Sequence, residues 1–308
     1  MTSAIVFAYS EVGVRCVRVL LAQGVKIPLL FTHVDDPAES QWFGSVKRLA
    51  DEYGLRVETT ANPNTPEWIA AAKRMKPDFV FSFYYRYMLK SGWLELPRLG
   101  ALNMHGSLLP KYRGRAPVHW AIIHGEAQTG ASLHYMVEKP DAGALVDQQS
   151  VPIFENDTAL AVSLKVASAA EEVMQRSLPQ LIAGTAQSQM LDLAQGSYFG
   201  RRCPEDGRID WRQGARAVHD LVRAVAPPFP PAFTEVCGCR LAVLETRVDP
   251  LPVRYAANAP CLYAADGAWF ADCVDARRLQ LLRLEFEQGP VTVDTLPASW
   301  SKQPVSLS

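Results

Sequence analysis

Asn103, His105 and Ser107 recur at every second position of a stretch that reads Leu102-Asn103-Met104-His105-Gly106-Ser107-Leu108-Leu109-Pro110-Lys111-Tyr112-Arg113-Gly114-Arg115-Ala116-Pro117. A period of two puts alternate residues on one side of an extended chain, so these three polar groups are expected to face one space. An amide donates hydrogen bonds without titrating, and an imidazole moves protons near neutral pH. Together they suit a reaction that needs a fixed donor and a mobile proton. Gly106 allows close backbone approach, Pro110 ends the pairing, and Arg113 and Arg115 flank Gly114 just before Pro117, a favoured first helical residue. For Asn and His alone, the alternative is a polar strand edge followed by a solvated basic loop. A second focus is the tight turn Pro140-Asp141-Ala142-Gly143, which sets Asp141 at the tip of a two-strand unit within reach of the motif histidine. Taken alone, an aspartate before Ala-Gly is ordinary turn chemistry.

The elements that would position these groups follow from the hydrophobic pattern. Ala4 to Tyr9 is a nearly continuous apolar run, as expected of a parallel strand covered on both faces. A helix then runs to about Gln23, stopped by Gly24, and Ile27 to Thr32 gives a second strand. Ser45 to Tyr53 and Pro66 to Met75 read as helices, Pro77 to Phe83 as a strand, and the stretch before Glu95 as another helix. This strand and helix order is that of a doubly wound sheet. The first turn lacks Gly-x-Gly-x-x-Gly, which argues against a dinucleotide cofactor. Beyond the motif come a helix at Val118 to His124, strands at Gly130 to Val137 and Ala144 to Ile153, and a long helix from Thr158 to Ile182 with Asp157 as its N-cap. His134, inside the first of these strands, reads as a packed or satisfied residue. The polar stretch 187–206 is expected to be a linker between a catalytic domain (1–186) and a smaller domain (207–308). The latter should hold a helix near Arg212 to Val225 and short strands at Arg240 to Val248, Cys261 to Ala265, Ala268 to Val274 and Leu279 to Glu287.

The composition, 48% hydrophobic and 20% charged over 308 residues, is that of an ordinary globular protein. A formal net charge of -1 supplies no global basic field, so nucleic acid is not the expected partner. No apolar run reaches the ~18 residues needed to span a bilayer. Nor does the N-terminus set a basic region before its apolar stretch, and cytoplasm is the expected address. The six cysteines are scattered and expected to be free thiols. Cys237-Gly238-Cys239 reads as a turn rather than a metal site, and no metal is expected.

The full string Asn103-Met104-His105-Gly106-Ser107-Leu108-Leu109-Pro110, with Tyr112-Arg113-Gly114 and Pro117, resembles the signature of the formyltransferases that use 10-formyltetrahydrofolate. The resemblance spans roughly residues 4 to 250. It implies a Rossmann-like, doubly wound, mostly parallel sheet of the α/β class followed by a smaller OB-like C-terminal β-barrel. It further implies Asn103, His105 and Asp141 as catalytic residues, and cofactor contacts at Tyr87, Met88, Leu89, Arg115, Val137, Glu138, Lys139 and Pro140. In formyl transfer a neutral amine attacks the formyl carbon, and donors must meet the oxyanion that develops. Asn103 and His105 would be those donors. His105 would also manage protons, and Asp141 would favour its cation or accept the amine proton. The segment Pro227-Pro228-Phe229-Pro230-Pro231-Ala232-Phe233 departs from the family's Pro-Trp-Pro-Gly-Ala-Phe at Phe229 and Pro231.

Phe7-Ala8-Tyr9, Phe31-Thr32-His33, Phe81-Ser82-Phe83-Tyr84-Tyr85-Arg86 and Phe199-Gly200-Arg201-Arg202 are similar to the branch that N-formylates UDP-4-amino-4-deoxy-L-arabinose in lipid A modification and polymyxin resistance. The partners this implies are folate and a nucleotide-linked amino sugar. That branch is usually fused to an oxidative decarboxylase, so a free-standing transferase or an excised half is expected here, with a separate decarboxylase as a pathway partner. The rival branches formylate methionyl-tRNA or another nucleotide-linked amino sugar. The first carries a basic insertion after the second strand, where this chain reads the acidic Thr32-His33-Val34-Asp35-Asp36-Pro37-Ala38-Glu39-Ser40. Such a loop would repel phosphates.

Overall fold

Residues such as Ile5, Phe7, Leu29, Phe31 and Val80, all fully buried, make the strands of the N-terminal half apolar on both faces, which a sheet covered by helices on each side requires. The structure, a computed structural model, describes residues 1–35, 41–255, 259–286, 289–291 and 304–307. Asp36 to Ser40 of the acidic stretch lie outside the described residues. The chain divides into two compact units: Met1–Pro117 with Gln128–Pro152 and Ser163–Gly200, and Val118–Ala127 with Ile153–Val162 and Arg201–Ser308.

In the first unit the order is β1 (Ser3–Ala8), α1 (Ser10–Ala22), β2 (Lys26–Thr32), α2 (Val46–Glu52), β3 (Val57–Thr59), α3 (Pro66–Met75), β4 (Phe79–Phe83), α4 (Ser91–Leu94), β5 (Gly100–His105) and β6 (Arg113–Gly114). The next helix, α5 (Pro117–Ile123), falls in the second unit but for Pro117, and the first unit resumes with β7 (Gln128–Tyr135), β8 (Leu145–Pro152), α6 (Ala159–Ala183) from Ser163 onward, and β9 (Tyr198–Phe199). One sheet runs β3-β2-β1-β4-β5-β7-β8. Its first five strands are parallel, while β7 pairs antiparallel with both β5 and β8. This is the expected doubly wound, mostly parallel sheet. The order reverses beside β1, where β2 and β4 leave in opposite senses, and ligands of such sheets bind in the crevice beyond the strand ends at that point. Two non-glycine residues sit in the left-handed region there, Ser10 at φ 64° after β1 and Tyr84 at φ 58° after β4. Strained backbone of this kind gathers at functional sites.

The core under this end is aromatic. Phe7 stacks on Phe31 at 4.6 Å between ring centroids, and the edge of Trp93 meets both rings. On the other face, Arg15 of α1 reaches Glu171 of α6 at 3.1 Å, and Arg176 of α6 binds Asp147 of β8 at 2.6 Å.

The second unit holds α7 (Ala215–Ala224) and the strands β10 (Ala232–Val236), β11 (Cys239–Pro252), β12 (Cys261–Ala265), β13 (Ala268–Asp272), β14 (Arg277–Phe286), β15 (Gly289–Val291) and β16 (Val305–Ser306). They form an antiparallel half-barrel in the order β10-β11-β14-β13-β12-β16, with β15 on β14. Val218 and Val222 of α7 pack with Trp211, Leu241, Val243 and Leu279 in its core. Cys237 and Gly238 have φ of 51° and 79° and close the β10–β11 hairpin. Both positive values suit a tight hairpin turn, so this sequence motif is a turn, as its spacing implies.

Candidate active site

Two strands and two turns assemble the first unit's polar centre. Asn103 lies opposite His134, and His105 opposite Ser132, across the antiparallel β5–β7 pair. Directly opposed residues share a face, so the register alone brings two imidazoles and an amide together. Asp141 arrives from the turn between β7 and β8 with φ 50°. Its Oδ1 lies 3.5 Å from His105 Nδ1, 3.5 Å from His134 Nε2 and 3.4 Å from Asn103 Nδ2. Its Oδ2 accepts the Gly114 N–H at 2.9 Å.

Two glycines permit this approach. Gly114 sits at φ 96°, and a Cβ there would collide with the carbonyl of Phe199 on β9, the partner of β6. At Gly143 a Cβ would collide with the Tyr135 carbonyl. Gly143→Ala is therefore expected to displace the Asp141 turn and cost about 3 kcal/mol, the upper range for overpacking. A urea titration reads this as a lowered midpoint with unchanged slope.

His105 is 6% exposed and His134 1%. His105 Nε2 faces the Tyr112 carbonyl at 2.8 Å, while Nδ1 faces the Asp141 carboxylate. Both partners accept, so the doubly protonated ring satisfies both. Burial pushes the Asp141 carboxyl up, but the charge on His105 and the Gly114 N–H hold it well below the usual carboxylate range. With the ring doubly protonated, the pair carries no net charge.

The motif loop is clamped from outside. Ser132 donates to the Ser107 carbonyl at 2.7 Å, Ser107 donates to the Lys111 carbonyl at 2.6 Å, and the Tyr112 N–H binds Ser197 Oγ at 2.8 Å. The strand ends at His105, so Ser107 does not continue the polar face that alternation predicts. Instead its hydroxyl closes the turn.

The expected cofactor contacts fall into two groups. Tyr87 and Met88 are 41% and 52% exposed after β4, and Val137 is 45% exposed after β7, with Glu138 and Lys139 exposed and Pro140 half-buried. Arg115 Nη2 donates to the Arg86 carbonyl at 3.0 Å, which ties the exit of β4 to the motif loop. Leu89 stands apart, buried with Phe7, Phe31 and Trp93, so its side chain belongs to the core. From the sequence His134 reads as a packed residue, and Ser132 and Ser197 have no assigned role. Only the strand register reveals the first two, although Ser132 and His134 share the alternation of β7. Among the described residues there is no group of three or more His, Cys, Asp or Glu side chains able to hold a metal ion, and no helix is long and apolar enough to cross a membrane.

Comparison with solved structures places this fold among known enzymes. The N-formyltransferase from Helicobacter canadensis, in complex with folinic acid and dTDP-3-aminofucose, superposes with a TM-score of 0.73 at 19% identity, over 91% of this chain and 99% of that one. WlaRD, a sugar 3N-formyl transferase determined with dTDP and 5-N-formyl-THF, gives 0.71 at 16% identity over 96% and 99%. A 4-N formyltransferase from Francisella tularensis gives 0.64 at 17% identity over 78% and 95%. At these identities the likeness is one of fold. Residues 18–178 match the Formyl transferase family, and residues 203–291 match the Formyl transferase C-terminal domain. Since the first match alone covers more than half of the 308 residues, the chain belongs to the formyl transferase family.

Proposed function

We propose that the protein transfers the formyl group of 10-formyltetrahydrofolate to the 4-amino group of UDP-4-amino-4-deoxy-L-arabinose, with Asn103, His105 and Asp141 as its catalytic residues. The observation that carries this reading is the meeting of an amide, an imidazole and a carboxylate within 3.5 Å at the head of β5. The folate supplies an activated formyl carbon. Tyr87, Met88 and Val137 offer exposed apolar surface for a flat ring, and the backbone at Leu89 and Glu138 to Pro140 offers polar edges.

The attacking nitrogen gains a bond to carbon and loses a proton, and the departing nitrogen takes a proton as its own bond to carbon breaks. Asn103 donates to the formyl oxygen as charge builds there. His105 gives its Nδ1 proton to the departing nitrogen and is reprotonated from the amine, so the cycle consumes none. That proton is the exchangeable one, because 3.5 Å to Asp141 is too long for a firm hydrogen bond, whereas Nε2 is held by Tyr112 at 2.8 Å. A carboxyl held so far below its usual range is a poor base, and Asp141 is better suited to anchoring the imidazolium than to taking the amine proton.

A nucleotide-linked amino sugar as acceptor is supported by the Helicobacter canadensis enzyme's complex with dTDP-3-aminofucose and by WlaRD, a sugar 3N-formyl transferase determined with dTDP, and a 4-amino position by the Francisella tularensis enzyme, a 4-N formyltransferase. Arg113 adds to this: it is 7% exposed and its buried Nε has no hydrogen-bond partner among the described residues, a positive charge in the motif loop suited to an anionic ligand. A separate decarboxylase would supply the sugar, and the product would serve lipid A modification and polymyxin resistance.

The test offers purified protein and 10-formyltetrahydrofolate the amino-arabinose nucleotide, a dTDP-linked amino sugar or methionyl-tRNA, with products read by mass spectrometry. Formylation of the amino-arabinose nucleotide is expected. Formylation of the dTDP sugar alone, or of the tRNA alone, would overturn the choice of acceptor and leave the chemistry of the site standing.

A further inference from the structure

His134 is buried and interior to a strand, the usual setting of a packed histidine, yet both of its nitrogens are specifically engaged. Nδ1 lies 2.8 Å from the Tyr135 carbonyl, which can only accept, so Nδ1 carries a hydrogen. Nε2 lies 3.1 Å from Asn103 Nδ2, a hydrogen-bonding distance, and 3.5 Å from Asp141 Oδ1, too long for a firm hydrogen bond. The Asp141 carboxylate is already balanced by His105, both of whose nitrogens face acceptors. A second buried cation would leave the centre with uncompensated charge, so the electrically balanced arrangement has His134 neutral, with a lone pair on Nε2.

That lone pair has a consequence for Asn103. An amide has two N–H hydrogens, and here one goes to His134 Nε2 at 3.1 Å while the other reaches only weakly toward Asp141 Oδ1 at 3.4 Å. The first bond fixes the amide plane and settles which end is nitrogen. The second is long enough to be exchanged for a better acceptor.

We propose that His134 is a positioning residue for formyl transfer: its Nε2 accepts one amide hydrogen of Asn103 and so presents the other, loosely held by Asp141, to the formyl oxygen. This rests on the assignment of Asn103 as the oxyanion donor. If His134 carried its hydrogen on Nε2 instead, Asn103 would turn its carbonyl toward the ring and lose this orientation. Ser132, two residues earlier on β7, holds the motif loop in the same way for His105.

Two measurements test this. The first needs no substrate: nitrogen-15 NMR of histidine-labelled protein at pH 7 should show His134 protonated on Nδ1 and bare on Nε2. A hydrogen on Nε2, alone or on both nitrogens, overturns the proposal whatever the acceptor proves to be. The second is a kinetic cycle with whichever acceptor the native protein formylates, comparing His134→Leu, His134→Gln, Asn103→Ala and the double variant Asn103→Ala/His134→Leu. His134→Leu should lower kcat by about 10- to 100-fold, the usual cost of losing a positioning partner, with KM for folate within about twofold. His134→Gln, whose amide oxygen can still accept from Asn103, should recover most of that loss. In the Asn103→Ala background, His134→Leu should change kcat by less than about twofold, because the residue acts through the amide. Losses that multiply, or equal losses in the Leu and Gln variants, would mark a merely structural role and overturn the assignment. If His134→Leu does not fold, the Gln variant alone decides, since a kcat loss as large as that of Asn103→Ala would contradict it.

Discussion

His105→Ala is expected to lower kcat by about 10³-fold while the protein still folds and binds folate with nearly native affinity. The size follows from the work assigned to the ring, since a positioned acid–base group contributes about 10²- to 10⁴-fold. A loss of 10³ corresponds to about 4 kcal/mol of transition-state stabilisation. Because the imidazole is one of two donors near the formyl carbon, Asn103 and bound-substrate orientation should leave a residual rate above the uncatalysed one. The fold should survive, because the strand is held by its backbone pairing to β4 and β7 and by the Ser132 clamp, none of which uses the ring. The check is steady-state kinetics beside circular dichroism and a folate titration. Near-native turnover in a folded His105→Ala variant would remove the ring from the mechanism.

The parts of this site that could be read from the chain are those carried by local pattern. Alternation along β5 marks Asn103 and His105, and Pro-Asp-Ala-Gly marks a turn that could carry a carboxylate to them. The parallel strands are legible because burial on both faces leaves unbroken apolar runs such as Ile5 to Ala8. What stayed hidden depends on register between distant segments. His134 looks like any interior histidine until β7 is set against β5 and its ring falls opposite Asn103. Tyr198 and Phe199 lie in a polar stretch that reads as a connector, yet they pair with β6 and close the far side of the motif loop. Ser107 fails the alternation for a local reason that periodicity cannot see: its hydroxyl finds the Lys111 carbonyl, and the chain leaves the sheet two residues earlier than the polar pattern suggests. Leu89 shows the converse limit. A resemblance carries over positions, whereas burial decides whether a side chain or only its backbone is presented.

Asp141→Asn carries the second large expected effect, and it separates two roles that a deletion would merge. The asparagine can keep the Gly114 N–H bond through its oxygen, so the turn at φ 50° should persist. What it cannot do is stand as an anion 3.5 Å from His105 Nδ1. An amide nitrogen facing that edge donates, which favours the neutral ring with its lone pair engaged and leaves no proton there for the departing nitrogen. Turnover should therefore fall by about 10²- to 10³-fold, the lower part of the range for a lost acid–base group, with KM for folate little changed. Stability gives an independent reading. The Asp141 carboxyl lies below its ordinary value in the folded protein, so ionised Asp141 favours the fold at every pH above the unfolded value of about 4. That contribution is lost as pH falls from there toward the folded value. The native protein should thus exceed Asp141→Asn in stability by a constant margin from pH 8 to about pH 5, and the margin should shrink below about pH 4. Urea midpoints of the two proteins across that range measure it. A margin that is absent at neutral pH would mean that burial of the carboxylate outweighs its partners, against the geometry that joins His105, Asn103 and Gly114 around it.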